Sequence, residues 1–532
     1  MSNVSWDNHE SILRGHSIVM DAKEKDAKAV IYKTPDRVIP VIFLPGVMGS
    51  NLMTKNGNGP SDALWRLDDN KTVAKWFFRG PKDRRQKLDP NKVVVDPGGK
   101  IDKDLADCHF ISRRKRGWGE VSYLSYGQFL PWLQSALDDF DNAKEDLRTR
   151  LIGMNLNLEL GEEPLGKDEV SLSYKYLYPV HVVGYNWLDS IVPSSEILLS
   201  KIIEIIQSYK DLNKMCEKVI LVTHSMGGLV ARYCSELKKG NNLILGVVHG
   251  VLPAIGAASA YRRMKAGMEY EGVKGKAVSL VAGGNAAEMT AVLSQSPGPL
   301  QLLPGIEYGR NWFKIKDGEQ IYQKPNLNPF VEIYKVRGYW WSLCEENLID
   351  PNVKTSNKEQ IDNAWQSYRR MMDEKVQPVI EALSGCYHNC THSFYGGSTP
   401  TLGDLIWEGS TNYLDERLAR NQRRFPLDGR ALGKEGEEIF TSRTVATPLG
   451  GGGWKTGIYQ EYKIADPTDL GDGTVPVRSS KIPDRYLRSR CKLSVAHEPA
   501  YTDPDAQVYT LWAIIKIVQE IKQTSLRYHD AY

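Results

Sequence analysis

The chain has 532 residues, 41% of them hydrophobic, enough to bury one large core or two moderate ones and to exclude a disordered polypeptide as the starting expectation. Its 68 basic and 65 acidic residues leave a net charge of only +3, so no global field points toward nucleic acid. Seven cysteines, an odd number scattered along a long chain, fit a reducing compartment rather than a disulfide scaffold.

The N-terminal "MSNVSWDNHESILRGHS" has neither the basic nor the apolar region of a secretory signal, which predicts a protein made and kept in the cytoplasm unless another route exports it. "DRVIPVIFLPGVMGSNL" (36–52) then supplies a short β-rich run ending at Pro45-Gly46. "LYPVHVVGYNWL" (177–188), "CEKVILVTHSMGG" (216–228) and "NLILGVVHG" (242–250) repeat the format. Such near-continuous apolar runs, without strict alternation, predict strands buried on both faces of a parallel sheet. Between them, "SSEILLSKIIEIIQSYK" (194–210) begins with serine caps and places Ile197, Leu198, Ile202, Ile205 and Ile206 at helical spacing. "GLVARYCSELKK" (228–239) predicts a helix directly after the third strand. The most apolar stretch, 243–260, is broken by His249 and Pro253 and is too short to span a bilayer.

Strand and helix in alternation predict a doubly wound α/β sheet. Two long segments, 53–175 and 262–455, show no sustained period and are expected to be cap or lid insertions over the carboxyl edge of the sheet. The core is then 36–52, 176–261 and 456–532, with "TGIYQEYKIAD" (456–466) read as a returning strand and "DAQVYTLWAIIKIVQEIKQ" (505–523) as a final amphipathic helix.

The third strand runs into "THSMGG", a pattern in which Ser225 sits on a tight strand-to-helix turn with its hydroxyl projecting from the sheet edge. Gly227 and Gly228 provide the room this turn needs, although Thr223 stands where a glycine is usual. A serine nucleophile requires a base, and the base an orienting acid. In an α/β-hydrolase sheet these follow in the order serine, acid, histidine. Of the histidines after Ser225, namely His249, His388, His392, His497 and His529, only the last two follow the acidic strand-end candidates Asp466, Asp469 and Asp472. His529 lies in the terminal tail, leaving His497 as the base. Asp472, in "GDGTVP", is the favoured acid because its flanking glycines permit a sharp turn, with Asp469 as the fallback. Oxyanion donors are expected from the N–H groups of Met226 and of Val47, or alternatively Met48, in "LPGVMGS".

Taken together, "VIFLPGVMGSNL", "GYNWLDS", "VTHSMGGLVAR", "SQSPGPLQLLPG" (294–305), "GDGTVP" and "AHEPAYTDPDAQVYTLWAIIKIV" resemble the lecithin:cholesterol acyltransferase-like and GPI inositol-deacylase-like branch of α/β hydrolases, and within it bacterial type VI secretion lipase effectors. The resemblance implies an α/β-hydrolase fold with large cap insertions, a triad of Ser225, Asp472 and His497, and an oxyanion hole of Val47 and Met226. It implies hydrolysis of membrane glycerophospholipid acyl esters, a cognate immunity protein and a secretion spike component as partners, and action at a target cell's membrane or periplasm after export without a signal peptide. The residues around Trp187 depart from the acyltransferase pattern, which argues against transfer to a sterol. A soluble carboxylesterase or an inositol deacylase could use the same triad, and a catalytically silent binding module could keep the same fold.

No cofactor is chemically required. Cys386, His388, Cys390 and His392 lie close enough in sequence to suggest zinc, but no second ligand pair is visible; a cap loop with local hydrogen bonds is expected and no metal is assigned. The basic runs 82–87, 112–117 and 417–424 are expected to be solvated faces or contacts with anionic lipid headgroups. The aromatic stretches 74–80 and 338–345 are expected to pack a cap core or to face lipid.

Overall fold

A computed structural model describes residues 35–55, 62–68, 76, 78–105, 107, 110–139, 147–268, 283–412, 440–449 and 453–528, together with three short strands within 1–34 that pair as an antiparallel sheet. The centre of the molecule is a six-stranded sheet. Its strands are β1 (Val41–Leu44), β2 (Val180–Val182), β3 (Val219–His224), β4 (Ile244–Gly250), β5 (Thr391–Gly396) and β6 (Ser489–Leu493). They lie in the order β6-β5-β4-β3-β1-β2, and every neighbouring pair is parallel. All four runs read from the sequence are therefore strands of one sheet.

Every residue of β1, β3 and β4 is buried, which is the reason for their largely apolar character. Alternate side chains serve opposite faces. Val41, Phe43, Ile220 and Val222 pack with α1 (Phe129–Leu137) and α4 (Pro504–Val518). Ile42, Leu44, Val219 and Leu221 pack with α2 (Ile191–Asp211) and α3 (Gly227–Arg232). The long helix begins earlier than the serine pair suggested: Ser190 Oγ caps it by accepting from the Val192 N–H, while Ser194 and Ser195 return their hydroxyls to carbonyls of the first turn.

One strand assignment and the bounds of both insertions need correction. Residues 456–466 do not return to the central sheet; 456–464 belong to strand Gly453–Ile464 of a separate five-stranded sheet, where Ile464 stands opposite Trp407. The last two strands of the central sheet are instead β5, which lies inside the span 262–455 read as one insertion, and β6. Likewise α1, within the span 53–175, packs directly on the sheet. The cap has a core of its own, in which Trp340 stacks on Tyr462 at 4.3 Å and meets Trp407 edge-on. Of the 338–345 aromatics, Trp340 and Trp341 are buried in that core, while Tyr339 is exposed and stacks on Trp341. In the 74–80 stretch Trp76 is buried against Trp65 while Phe78 is 93% exposed; Ala74, Lys75 and Phe77 lie outside the described residues.

The basic runs are mixed: Arg84 and Arg116 are buried, while Lys82, Arg114 and Lys115 are exposed. Arg84 donates to the carbonyls of Arg79 and Trp76 and pairs with Glu288, and Arg85 donates to the Ala291 carbonyl. Arg113 and Arg116 both pair with Asp107, and Arg114 donates to the Pro97 carbonyl. The expectation of solvated faces fails for Arg84 and Arg116, which are buried and satisfy backbone or carboxylate acceptors, and holds for Lys82, Arg114 and Lys115, which are exposed; 417–424 lies outside the described residues. No helix among the described residues is long and apolar enough to cross a membrane.

Beside β2, the Glu120 carboxylate accepts from the Gly184 N–H at 2.8 Å, and burial pushes its carboxyl up from the usual 4.5 to about 7. The folded chain therefore holds this proton more tightly than the unfolded chain. Its contribution to stability is full below about pH 4.5 and is lost as pH rises through about 7. Glu120→Gln keeps an acceptor for Gly184 and removes the charge. It is expected to raise stability at pH 8, relative to wild type, by up to about 3 kcal/mol and to leave the two proteins closest near pH 4, as urea midpoints at the two pH values would show.

Candidate active site

β3 ends at His224 and α3 begins at Gly227, leaving only Ser225 and Met226 to make the turn. Ser225 adopts φ +50°, a conformation that costs an ordinary side chain strain and projects its hydroxyl away from both elements. The strain is held by two backbone bonds: Ser225 N–H donates to Gly250 O on the neighbouring strand, and Gly228 N–H to Ser225 O. A Cβ on Gly227 would lie 2.5 Å from Pro45 O and 2.7 Å from Leu44 O, so the helix crosses β1 too closely for any other residue. Gly227→Ala, which must push one backbone segment off the other, is expected to destabilise the fold by about 1–3 kcal/mol, measured as a lowered urea midpoint.

Thr223 is accommodated without loosening the turn. It is fully buried, and its Oγ is 2.8 Å from Nδ1 of His249 on β4, while its carbonyl accepts from the Tyr501 hydroxyl. Burial drives the His249 pKa down to about 3, so this ring is neutral.

The structure brings Ser225, His497 and Asp472 together. His497 Nδ1 is 2.8 Å from Asp472 Oδ2, and Nε2 is 2.8 Å from Ser225 Oγ. A carboxylate only accepts, so Nδ1 carries the ring proton, Nε2 is the acceptor, and the serine hydroxyl donates to it. The Asp472 carboxylate is completely buried and its other oxygen accepts from the N–H groups of Thr474 (2.9 Å) and Val475 (2.6 Å). The His497 N–H also donates to the Asp472 carbonyl. Asp472 and His497 are thereby fixed to each other through backbone as well as side chain.

The other candidates are elsewhere. Asp466 is exposed, and the Asp469 carboxylate faces Arg478 and accepts from the Asp404 N–H. His529 lies outside the described residues. His388 Nδ1 accepts from the Cys390 N–H, and His392, on β5, is 2.7 Å from the Ser489 hydroxyl. Cys386 Sγ donates to the Ala382 carbonyl, and Cys390 Sγ is 4.0 Å from His392 Nε2. Among the described residues no three His, Cys, Asp or Glu side chains are grouped so as to hold a metal.

The loop after β1 turns at Gly46–Gly49, with the Gly49 N–H donating to the Gly46 carbonyl and Met48 at φ +63°. A Cβ on Gly46 would lie 3.2 Å from that of Ser225, so this loop rests against the nucleophile turn. Among the described residues, the N–H groups of Val47 and Met226 have no acceptor within the protein. Ser225 itself is only 3% exposed. Sequence reasoning missed Tyr126, whose hydroxyl reaches the site from the 53–175 span, because nothing in its local pattern marks it.

A family described as "PGAP1-like alpha/beta domain" matches residues 191–253, the segment from α2 through the elbow to the end of β4. No curated protein matches the chain in sequence. Among solved structures, the crystal structure of the Tle4-Tli4 complex contains a chain similar to this one, with TM-score 0.69 and 27% identity, covering 90% of this chain and 98% of that one. The chain thus has the α/β-hydrolase fold foreseen from its motifs, with a PGAP1-like alpha/beta domain at the elbow and a likeness to Tle4 over 90% of its length.

Proposed function

We propose that the chain is a serine carboxylic-ester hydrolase that cleaves acyl esters of membrane glycerophospholipids, in the manner of type VI lipase effectors. The observation that carries the reading is the His497 imidazole held between the Ser225 hydroxyl and the Asp472 carboxylate, 2.8 Å from each, at the carboxyl edge of a parallel sheet. Ser225 Oγ attacks the ester carbonyl as Nε2 of His497 takes its proton, and the unpaired N–H groups of Val47 and Met226 receive the oxyanion. The leaving glyceryl oxygen takes the proton from Nε2, and the acyl group remains on Ser225. Water, deprotonated by the same nitrogen, then releases the fatty acid and restores the serine. No step requires a cofactor.

The buried nucleophile implies that its cover shifts before a lipid enters, with parts of the two long insertions outside α1 and β5 as the lid. The likeness to Tle4, solved in complex with Tli4, supports the effector reading and a cognate immunity protein as partner. In that reading a secretion spike component carries the protein from the producer's cytoplasm, without a signal peptide, to a target membrane or periplasm. The PGAP1-like match supports a second reading, an acyl ester on an inositol lipid cleaved by the same triad. Incubation with phosphatidylethanolamine–phosphatidylglycerol vesicles, with products resolved by mass spectrometry, is expected to give free fatty acid and lysophospholipid. Cleavage confined to short soluble esters would remove the lipid claim, and cleavage only of an added acyl-inositol lipid would favour the second reading.

A further inference from the structure

Three loops carry the proposed chemistry: the donor loop after β1, the elbow after β3, and the loop bearing His497. A continuous run of hydrogen bonds joins them through two residues that the triad does not use. His224 Nε2 is 2.9 Å from the His497 carbonyl, and His224 Nδ1 is 2.7 Å from the Tyr126 hydroxyl, whose oxygen accepts from the Gly46 N–H at 3.1 Å. The direction of each bond is determined. A carbonyl only accepts, so His224 carries its proton on Nε2; Nδ1 must then accept, and Tyr126 donates to it. The Gly46 N–H completes the run by donating to the tyrosine oxygen. His224 is buried and lies directly before the nucleophile, and a Cβ on Gly46 would sit 3.0 Å from its Nδ1. The helix that supplies Tyr126, Tyr123–Tyr126, has a second link to the same loop, Ser125 Oγ to Glu498 Oε1 at 2.8 Å. Phe43 and Tyr501 pack edge-on against the Tyr126 and His224 rings respectively, so neither ring can turn to find another partner.

We infer that Tyr126 and His224 are positioning residues for the hydrolysis: their hydrogen-bond run sets the donor loop at Gly46-Val47 and the backbone of His497 in fixed relation across Ser225. The inference rests on the Ser225–His497–Asp472 reading. Neither residue touches the reacting atoms. Their effect is on distance, since the base must meet Oγ and the Val47 N–H must meet the oxyanion at the same instant, and a misplacement of about 1 Å in such an arrangement costs on the order of 10²-fold. The run also makes one residue of the 53–175 span part of the site's scaffold, so displacement of the Tyr123–Tyr126 helix would loosen the base and the oxyanion loop together.

The test uses the full chain and p-nitrophenyl butyrate, with active sites counted by a fluorophosphonate probe. Tyr126→Phe, which removes one oxygen, is expected to lower kcat per labelled site by about 10- to 100-fold with KM changed less than about 2-fold. His224→Leu should do the same, and the double variant should be no slower than the slower single, because both interrupt one run. His224→Gln offers a donor and an acceptor and should recover most of the rate. A kcat per labelled site within about 2-fold of wild type in Tyr126→Phe or His224→Leu, losses that multiply in the double variant, or a loss traced wholly to fewer labelled sites would each overturn the inference. If Tyr126→Phe does not fold, the contrast between His224→Gln and His224→Leu decides it by the same readouts. Failure of the parent reading is separate, since Ser225→Ala would then keep wild-type hydrolysis and the wild-type serine would take no label.

Discussion

His497→Ala is expected to lower kcat for ester hydrolysis about 10⁶-fold while leaving KM and the fold nearly unchanged. A serine hydroxyl is a poor nucleophile at neutral pH, and the only base bonded to Ser225 Oγ among the described residues is Nε2 of His497, at 2.8 Å. The neighbouring imidazole cannot substitute. His224 has both nitrogens committed, and burial lowers its pKa to about 3, so its ring stays neutral and locked in the wrong direction. The backbone bond from residue 497 to the Asp472 carbonyl survives the substitution, and the lost ring is 14% exposed, so the loop should hold its course. Oxyanion donors would sustain a residual acceleration of about 10³–10⁴ over water. Steady-state kinetics on a short-chain ester, with urea midpoints to check folding, measure this. A loss below about 100-fold would mean that another group takes the proton.

Asp472→Asn is expected to cost about 10⁴-fold in kcat, although the side chain keeps its shape. The carboxylate has two distinct duties. Oδ1 accepts from the N–H groups of Thr474 and Val475, and Oδ2 faces His497 Nδ1. An asparagine must turn its carbonyl toward the two backbone donors, which leaves its NH₂ pointing at Nδ1. Nδ1 then has to accept, the ring proton moves to Nε2, and Nε2 presents a hydrogen to Ser225 instead of a lone pair. The same kinetic measurement applies, and the expected result is a fall in kcat with little change in KM. A variant within about 30-fold of wild type would show that the acid does not fix the tautomer.

The sheet and the grouping of Ser225, Asp472 and His497 were legible because they depend on local patterns. Four largely apolar runs leading into glycine marked β1 to β4, since burial on both faces favours apolar side chains and admits only partnered polar ones such as Thr223 and His249. Ser225 was marked by the glycines its turn requires, His497 by chain order and by the place of His529 in the tail, and Asp472 by chain order and its flanking glycines. The misses share a different cause. β5 reads "THSFYG" and β6 "SRCKL", runs too polar to be taken for buried strands, because His392 and Ser489 satisfy one another across the pair and Arg490 pairs with Glu159 and Asp484 at the edge of the sheet. The strand at Gly453–Ile464 was recognised as a strand but placed in the wrong sheet, since period carries no information about its partner. Tyr126 was invisible because its role is a contact with His224, 98 residues away, and no spacing rule connects the two. Arg84 and Arg116 looked solvated because the carbonyl acceptors that let them be buried leave no trace in a sequence.

The central claim is that residue 225 is a nucleophile activated by residue 497. A fluorophosphonate reports this directly, because the attacking oxygen forms a P–O bond, fluoride leaves, and the adduct stays on the attacking residue. Peptide mapping by mass spectrometry should find one phosphonyl group on Ser225 of the wild-type chain and, in His497→Ala, the same site labelled more slowly by about 10³-fold or more. An intact, folded wild-type chain that takes no label, or takes it on another residue, would contradict the account.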